Sequence, residues 1–342
     1  MNRKILRIAI PSIISNITVP LLSLVDIAIV GHLGSQTYIG AIAVGSLIFN
    51  IIYWLFGFLR MGTSGITSQA FGGRELKETS RVLYRVTVFA VLVALVLIIA
   101  QYPIKLVAKW IVVPSVEVWS EASLYFDICV WGAPAVLVSY AFAGWFVGMQ
   151  NSRFPMMIAI VQNIVNIVVS LTLVELCGMK VAGVAIGTLV AQYVGIALAL
   201  LLWNKYYRKK LGQPFSFEIL KDRGAINRLF VVNRAIFLRT LCLIAVTTCF
   251  TTFGARSGDT ILAINTLLMQ FFTLFSYVMD GFAYSGEALV GRYVGANNKP
   301  LLDSAIKNLF RWGWGLALLF CFAYIFGGDA LLALLTDDVS VA

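Results

Sequence analysis

Apolar residues run along this chain in nine long blocks, near positions 8–31, 41–71, 83–102, 122–148, 154–176, 181–203, 226–253, 259–290 and 306–327. A hydrocarbon core about 30 Å thick takes about 20 residues of helix to cross. The blocks are too long for barrel strands and do not alternate, so the pattern predicts an all-α polytopic membrane protein. The second and eighth blocks exceed 30 residues and are expected to tilt, bend or run on into water. The first follows a basic start, as a signal peptide would. It is too long for one, holds Asp26 and precedes further spans, so it reads as the first helix.

Composition agrees. Of 342 residues, 60% are hydrophobic and 12% charged, with a mean hydropathy of +0.89. A soluble fold of this size could not hide so much apolar surface, and disorder, a secreted disulfide scaffold and an ordinary cytosolic enzyme are excluded with it. The net charge is +10. With the N-terminus in the cytoplasm, inner segments hold nineteen of the 26 basic residues and outer segments only Lys105, Lys109, Lys180 and Arg256. Arg60, Arg234 and Arg239 fall within spans. This asymmetry predicts the orientation and places the basic loops against anionic headgroups, so the charge needs no nucleic acid to explain it. Nine spans would leave the C-terminus outside. Five cysteines (Cys129, Cys177, Cys242, Cys249, Cys321) are scattered without a CxxC pair and read as packing residues.

The most polar interior stretch, residues 204–224, divides the chain. It predicts an N-terminal lobe of six transmembrane helices (1–204), a cytoplasmic linker (205–223) with an amphipathic surface helix near 215–223, and a C-terminal lobe (224–342) represented by three helices. The two sides look alike. Gly31 and Gly72 are 41 residues apart, as are Gly254 and Gly295, and laying one pair on the other, an offset of 223, pairs Thr37 with Thr260 and Phe49 with Phe272. Six spans is an even number, so the copies would be parallel repeats about an axis along the membrane normal. The second copy would then also need six spans, and the chain is expected to be a fragment or shortened copy of a twelve-helix protein.

Polar groups at bilayer depth are costly and face a cavity or a partner. At 100° per residue, Ser12, Ser15, Asn16, Ser23 and Asp26 share one side of the first helix. Pro20 lies inside that helix and cannot donate to the carbonyl of Asn16, which leaves a point where it can bend. Neutralising Asp26 would remove a desolvation cost of several kcal/mol, enough to select between straight and bent states. In the fifth span Gln162, Asn163, Asn166 and Ser170 form a stripe able to coordinate a hard cation, cradle a protonated carboxyl or simply join helices. In the eighth, Asn265, Thr273, Ser276, Asp280, Tyr284 and Glu287 share a face. Asp280 is expected to face a cavity, and Glu287 to be hydrated near the inner end. Arg234 can snorkel, and Arg239 is the expected salt-bridge partner of Asp280 or Glu287. Tyr53, Trp54, Trp110, Trp119, Trp131 and Trp145 read as interfacial or lipid-facing. GWFVG at 144–148, GVAIG at 183–187 and GRYVG at 291–295 read as helix-packing motifs.

GTSG at 62–65 matches the motif of an intramembrane serine protease, but such a serine needs a base. The single histidine, His32, lies at the outer end of the first span, whereas Ser64 lies some 24 residues into the second, about 36 Å inward at 1.5 Å per residue. With no HExxH, P-loop or GxGxxG, neither an enzyme nor ATP-driven chemistry is expected, and transport would draw on an ion gradient.

These residues resemble the multidrug and toxic compound extrusion (MATE) transporters, in their DinF-like branch. The likeness spans Pro11 to Pro20, VDIAIVGHLG at 25–34, FGFLRMGTSGITSQAFG at 56–72, NRAIFLRT at 233–240 and DGFAYSGEALVGR at 280–292. The resemblance implies two six-helix lobes in a V around a central cavity, and export of organic compounds in exchange for H⁺ or Na⁺ with no cofactor. It maps a coupling site onto Asp26, Asn166, Ser170 and Thr188, with Pro20 as the bending point. Cavity and substrate contacts are expected at Asn16, Gln162, Asn163, Arg239, Asn265 and Asp280. Several members carry Asp where Ser170 stands, which tilts the expectation from Na⁺ toward protons. The expected partners are small organic substrates and the lipid bilayer, for a monomer in the bacterial inner membrane. Two alternatives stay open: a lipid-linked oligosaccharide flippase of the same superfamily, which would want cavity arginines and lysines, and a non-transporting truncated membrane protein.

Overall fold

A computed structural model describes residues 1–31, 35–211, 215–256 and 259–335, the side chains at 19, 21–24, 254–256, 259–260, 262–263 and 328–335 excepted. The described chain is helical almost throughout. In order come α1 (Asn2–Gly31), α2 (Gln36–Leu55), α3 (Phe58–Gly72), α4 (Leu76–Ile99), α5 (Gln101–Val112), α6 (Val116–Cys129) and α7 (Ala133–Gly148). They are followed by α8 (Arg153–Leu171), α9 (Lys180–Trp203), the short α10 (Lys209–Leu211), α11 (Arg223–Arg256), α12 (Asp259–Gly295) and α13 (Lys299–Leu335). Seven stretches among the described residues are long and apolar enough to cross a membrane: Gln36–Gly72, Leu76–Ile99, Val116–Gly148, Arg153–Leu176, Lys180–Leu211, Arg223–Phe253 and Lys299–Gly327. The first and eighth expected spans, α1 and α12, are continuous helices of 30 and 37 residues and are not among those seven.

The overlong second block bends, one of the three outcomes its length allows. It divides into α2 and α3 at Phe56–Gly57. The eighth runs unbroken as α12. The linker differs from expectation. Helix continues past Trp203 through a wide turn at Asn204–Arg208 into α10, and the anticipated amphipathic helix is a single 3₁₀ turn, Phe217–Leu220. That turn is tied to α4. The buried Arg85 donates from Nε to the Ile219 carbonyl (3.0 Å) and pairs with Glu78 (2.5 Å) and Asp222 (3.3 Å).

Three apolar clusters hold the helices together. One joins α3, α4, α7 and α9 around Leu59, Leu83, Leu137, Trp145 and Phe146. A second joins α1, α2, α6 and α9 around Val30, Ile42, Phe126 and Val184. The third packs Ile5, Ile8 and Ala9 of α1 on Phe282, Leu289 and Tyr293 of α12. Trp145 is therefore not interfacial. It is fully buried and donates its indole N–H to the Thr79 carbonyl at 2.8 Å, whereas Trp54, Trp110 and Trp131 are exposed on the apolar surface. Cys129 is buried, but Cys177, Cys242, Cys249 and Cys321 are exposed and do not serve as packing residues.

Glycine sets how closely the helices cross. A Cβ at Gly144 would collide with the Arg60 carbonyl, one at Gly148 with Thr67, one at Gly187 with Ser170, and one at Gly291 with Ser68. The closest crossing is reciprocal. Gly72 of α3 presses on the carbonyl of Arg292, and Gly295 of α12 presses on the carbonyl of Gln69, each three residues before the other glycine. Backbone cannot swing aside as a side chain can, so Gly72→Ala is expected to lower stability by about 1–3 kcal/mol through overpacking. Gly65→Ala, on the same helix but with nothing within 4 Å of the added carbon, should instead gain about 0.5–1 kcal/mol from helix propensity. Thermal unfolding of both variants in detergent checks the opposite signs.

Candidate functional site

Two polar centres lie at bilayer depth. The first surrounds α1. Its two prolines each orphan a carbonyl four residues back. For Pro11 that is the carbonyl of Arg7, which accepts from the Ser152 hydroxyl at 3.3 Å. For Pro20 it is the carbonyl of Asn16. Around this weak point α1 is held from outside: Asn163 donates to the Thr18 carbonyl (3.1 Å), and Asn16 donates to the Tyr277 carbonyl (3.3 Å) while accepting from the Tyr284 hydroxyl (3.3 Å). Asn16 thus ties the bending point to α12. Ser12 only closes back on the Ile8 carbonyl, and Ser23 lies outside the described side chains.

Beyond Pro20, Asp26 is buried, 7% exposed, and its Oδ1 has no hydrogen-bond partner. It stands within electrostatic reach of Tyr125 and Cys129 on α6. The α8 stripe turns toward α9. Asn166 donates to the Thr188 hydroxyl at 2.9 Å, Ser170 sits against Gly187, and Gln162 against Gly195. The Asn166 Oδ1 and Ser170 Oγ are buried and also unpartnered. The structure therefore brings Asn166, Ser170 and Thr188 together where α8 crosses α9, and leaves Asp26 apart from them, within electrostatic reach of α6. Cys129 links the two regions through its thiol, which donates to the Ala185 carbonyl of α9 at 3.7 Å. A buried oxygen without a donor costs free energy unless a proton or cation fills the gap, and among the described residues α1, α8 and α9 carry four, the fourth being Gln192 Oε1.

The second centre joins α3 to α12. The Arg60 guanidinium lies 3.6 Å from the centre of the Tyr284 ring, and its Nη1 is 3.8 Å from Glu287 Oε2. Both side chains of the pair are 17% exposed. Ser64 faces Glu287 from α3. Two expectations change here. Glu287 is not hydrated at a helix end, because α12 continues two turns past it and α3 covers it. Its partner is Arg60, not Arg239. Arg239 and Asp280 are both exposed and make no ion pair among the described residues, although Arg239 acts electrostatically on both acids. Asn265 is half-buried. The Arg60 centre was signalled in the sequence only by an arginine amid apolar residues with no acid one turn away. Ser64 is fully buried, and His32 lies outside the described residues.

Buried carboxylates, amides and a proline-weakened helix between multiple membrane-crossing helices define a polytopic membrane transporter. The MatE family profile matches residues 11–172 and 235–342, and the chain belongs to that family, whose members are transporters and not enzymes. It is 37% identical over 338 residues to the DNA damage-inducible protein F of Escherichia coli (strain K12), covering 98% of this chain and 73% of that protein. It is 26% identical over 304 residues to multidrug and toxin extrusion protein 1 of Danio rerio, covering 86% of this chain and 50% of that one. The crystal structure of a Vibrio cholerae MATE transporter in the bent form superposes with a TM-score of 0.87 at 18% identity, over 99% of this chain and 76% of the other. The chain thus spans about three quarters of the bacterial relative and of that structure, and half of the fish relative.

Proposed function

We propose that the protein is a cation-coupled secondary antiporter that exports organic, drug-like or toxic compounds across the inner membrane by alternating access, H⁺ being the coupling ion rather than Na⁺. The observation that carries this reading is the buried Asp26, with an unpartnered oxygen, six residues beyond Pro20 on the same helix. A proton there removes a charge from the low-dielectric interior and so biases the bend of α1. Asn166, Ser170 and Thr188 supply neutral oxygens, so Asp26 is the single carboxylate of the set, and one proton neutralises it. The fish relative is named for extrusion of drugs and toxins. The N-terminal halves of α1 and the C-terminal halves of α3 and α12 are tightly packed, which supports a state closed on the N-terminal side, taken as cytoplasmic. The reciprocal contact of Gly72 and Gly295 supports two parallel repeats, complete in a twelve-helix protein. Arg60, which a flippase of pyrophosphate-linked lipids would need, is already engaged with Glu287.

In everted membrane vesicles carrying the protein, a cationic dye is expected to be taken up when a pH gradient is imposed. A protonophore should stop uptake, and a Na⁺ ionophore should leave it unchanged. Uptake that follows the Na⁺ gradient overturns the choice of ion, and no uptake under either gradient overturns the transport reading.

A further inference from the structure

A cavity of about 350 Å³ opens at the N-terminal ends of α1 and α8, lined by Arg7, Gln150, Asn151, Ser152, Arg153 and Phe154 together with Met149. It is built by the chain around it. Pro11 frees the Arg7 carbonyl for Ser152, which fixes the first turns of α1 beside the start of α8 and so sets Arg7 next to Arg153. The amides of Gln150 and Asn151 are engaged elsewhere, with the Ala288 carbonyl (2.7 Å) and the Tyr207 hydroxyl (3.2 Å). Among the described residues no carboxylate lies within 4 Å of either arginine. The cavity therefore presents two guanidinium groups, the side chains best suited to bidentate recognition of phosphate.

What continues from each arginine is equally informative. Along α1, Arg7 begins an exposed stripe of Ile10, Ile14 and Ile17. Along α8, Arg153 begins a second of Met157, Ile160 and Ile164. At 100° per residue each stripe stays within about 80° of its arginine, and the two helices pack side by side through Asn163 and Thr18. Two apolar tracks about 15 Å long, the depth of one leaflet, thus lead to one pair of cations at the level where lipid phosphates lie. A soluble anion has no use for the tracks, and a neutral lipid gains less from the arginines.

We propose that this groove is a binding site for an anionic phospholipid, its phosphate between Arg7 and Arg153 and its acyl chains along the two stripes. The inference is independent of the transport reading and needs only that α1 and α8 lie in the bilayer. In the purified, delipidated protein, phosphatidylglycerol is expected to raise the unfolding temperature and to persist as an adduct in native mass spectra, with phosphatidylcholine doing neither. Arg7→Gln/Arg153→Gln should weaken phosphatidylglycerol binding at least tenfold. Lys209→Gln/Lys210→Gln, which removes the same charge from an exposed site elsewhere, should not. Equal effects of the two lipids overturn the proposal without any variant. So does equal loss in both double variants, which would mean diffuse attraction, and so does inorganic phosphate matching the lipid at equal concentration.

Discussion

Asp26→Asn should stop gradient-driven dye export while leaving the protein folded. The amide has the shape of the acid, so the packing around position 26 is kept. It cannot change charge, so the difference in desolvation cost of several kcal/mol between charged and neutral states is no longer available to move α1 at Pro20. Because the wild-type Oδ1 has no partner, removing the buried charge should leave the unfolding temperature in detergent unchanged or higher. Export under an imposed pH gradient should fall to the passive leak. A variant that unfolds no earlier and exports at the wild-type rate would falsify the coupling role of Asp26. A variant that loses export only because it loses its fold would show an ordinary structural acid instead, and the unfolding measurement separates the two.

The largest stability effect is expected at the Arg60–Glu287 pair. At 3.8 Å and an effective dielectric of about 20, the attraction is on the order of 4 kcal/mol. Arg60→Ala strands a carboxylate between α3 and α12 and should cost about 3–5 kcal/mol. Glu287→Gln should cost less, since Arg60 keeps its place over the Tyr284 ring, a contact worth about 2 kcal/mol when desolvated. Arg60→Met/Glu287→Met should recover most of the loss, because apolar groups of similar volume replace buried ion pairs at little net cost. A double-mutant cycle by chemical unfolding measures the coupling. Additive single-site effects would show that the two side chains do not act as a pair.

Much of this architecture could be read from residue order, because its determinants are local. Apolar blocks of sufficient length become membrane helices whatever lies beside them. Of the two spans of more than 30 residues, one breaks at Phe56–Gly57 and the other runs on unbroken as α12. The GxxxG pairs at 144–148, 183–187 and 291–295 all mark close crossings, since a missing side chain has one use on a helix face. Asp26 was legible as buried for the same reason: its own helix is apolar on every other side. What could not be read was which elements meet. Glu287 looked hydrated because its depth was judged by distance to the end of an apolar block, whereas α12 runs on to Gly295 under the cover of α3. Arg239 looked like its partner because it lies in the neighbouring span. The real partner, Arg60, is 227 positions earlier, and no helical periodicity reports a contact of that range. Trp145 was misplaced for a related reason. An indole suits an interface, but it is equally content in a core that offers its N–H a carbonyl, here that of Thr79.

The crossing of α3 and α12 carries one further consequence. Gly72 touches the carbonyl at 292 as Gly295 touches the carbonyl at 69, and one offset of 223 carries 72 onto 295 and 69 onto 292. Mutual exchange of this kind is what a two-fold axis imposes on identical subunits. The same segment, present as two separate chains, could have made this contact with its own copy. The crossing inside this polypeptide therefore has the geometry of a homodimer seam, with two segments of one chain standing where two subunits would meet.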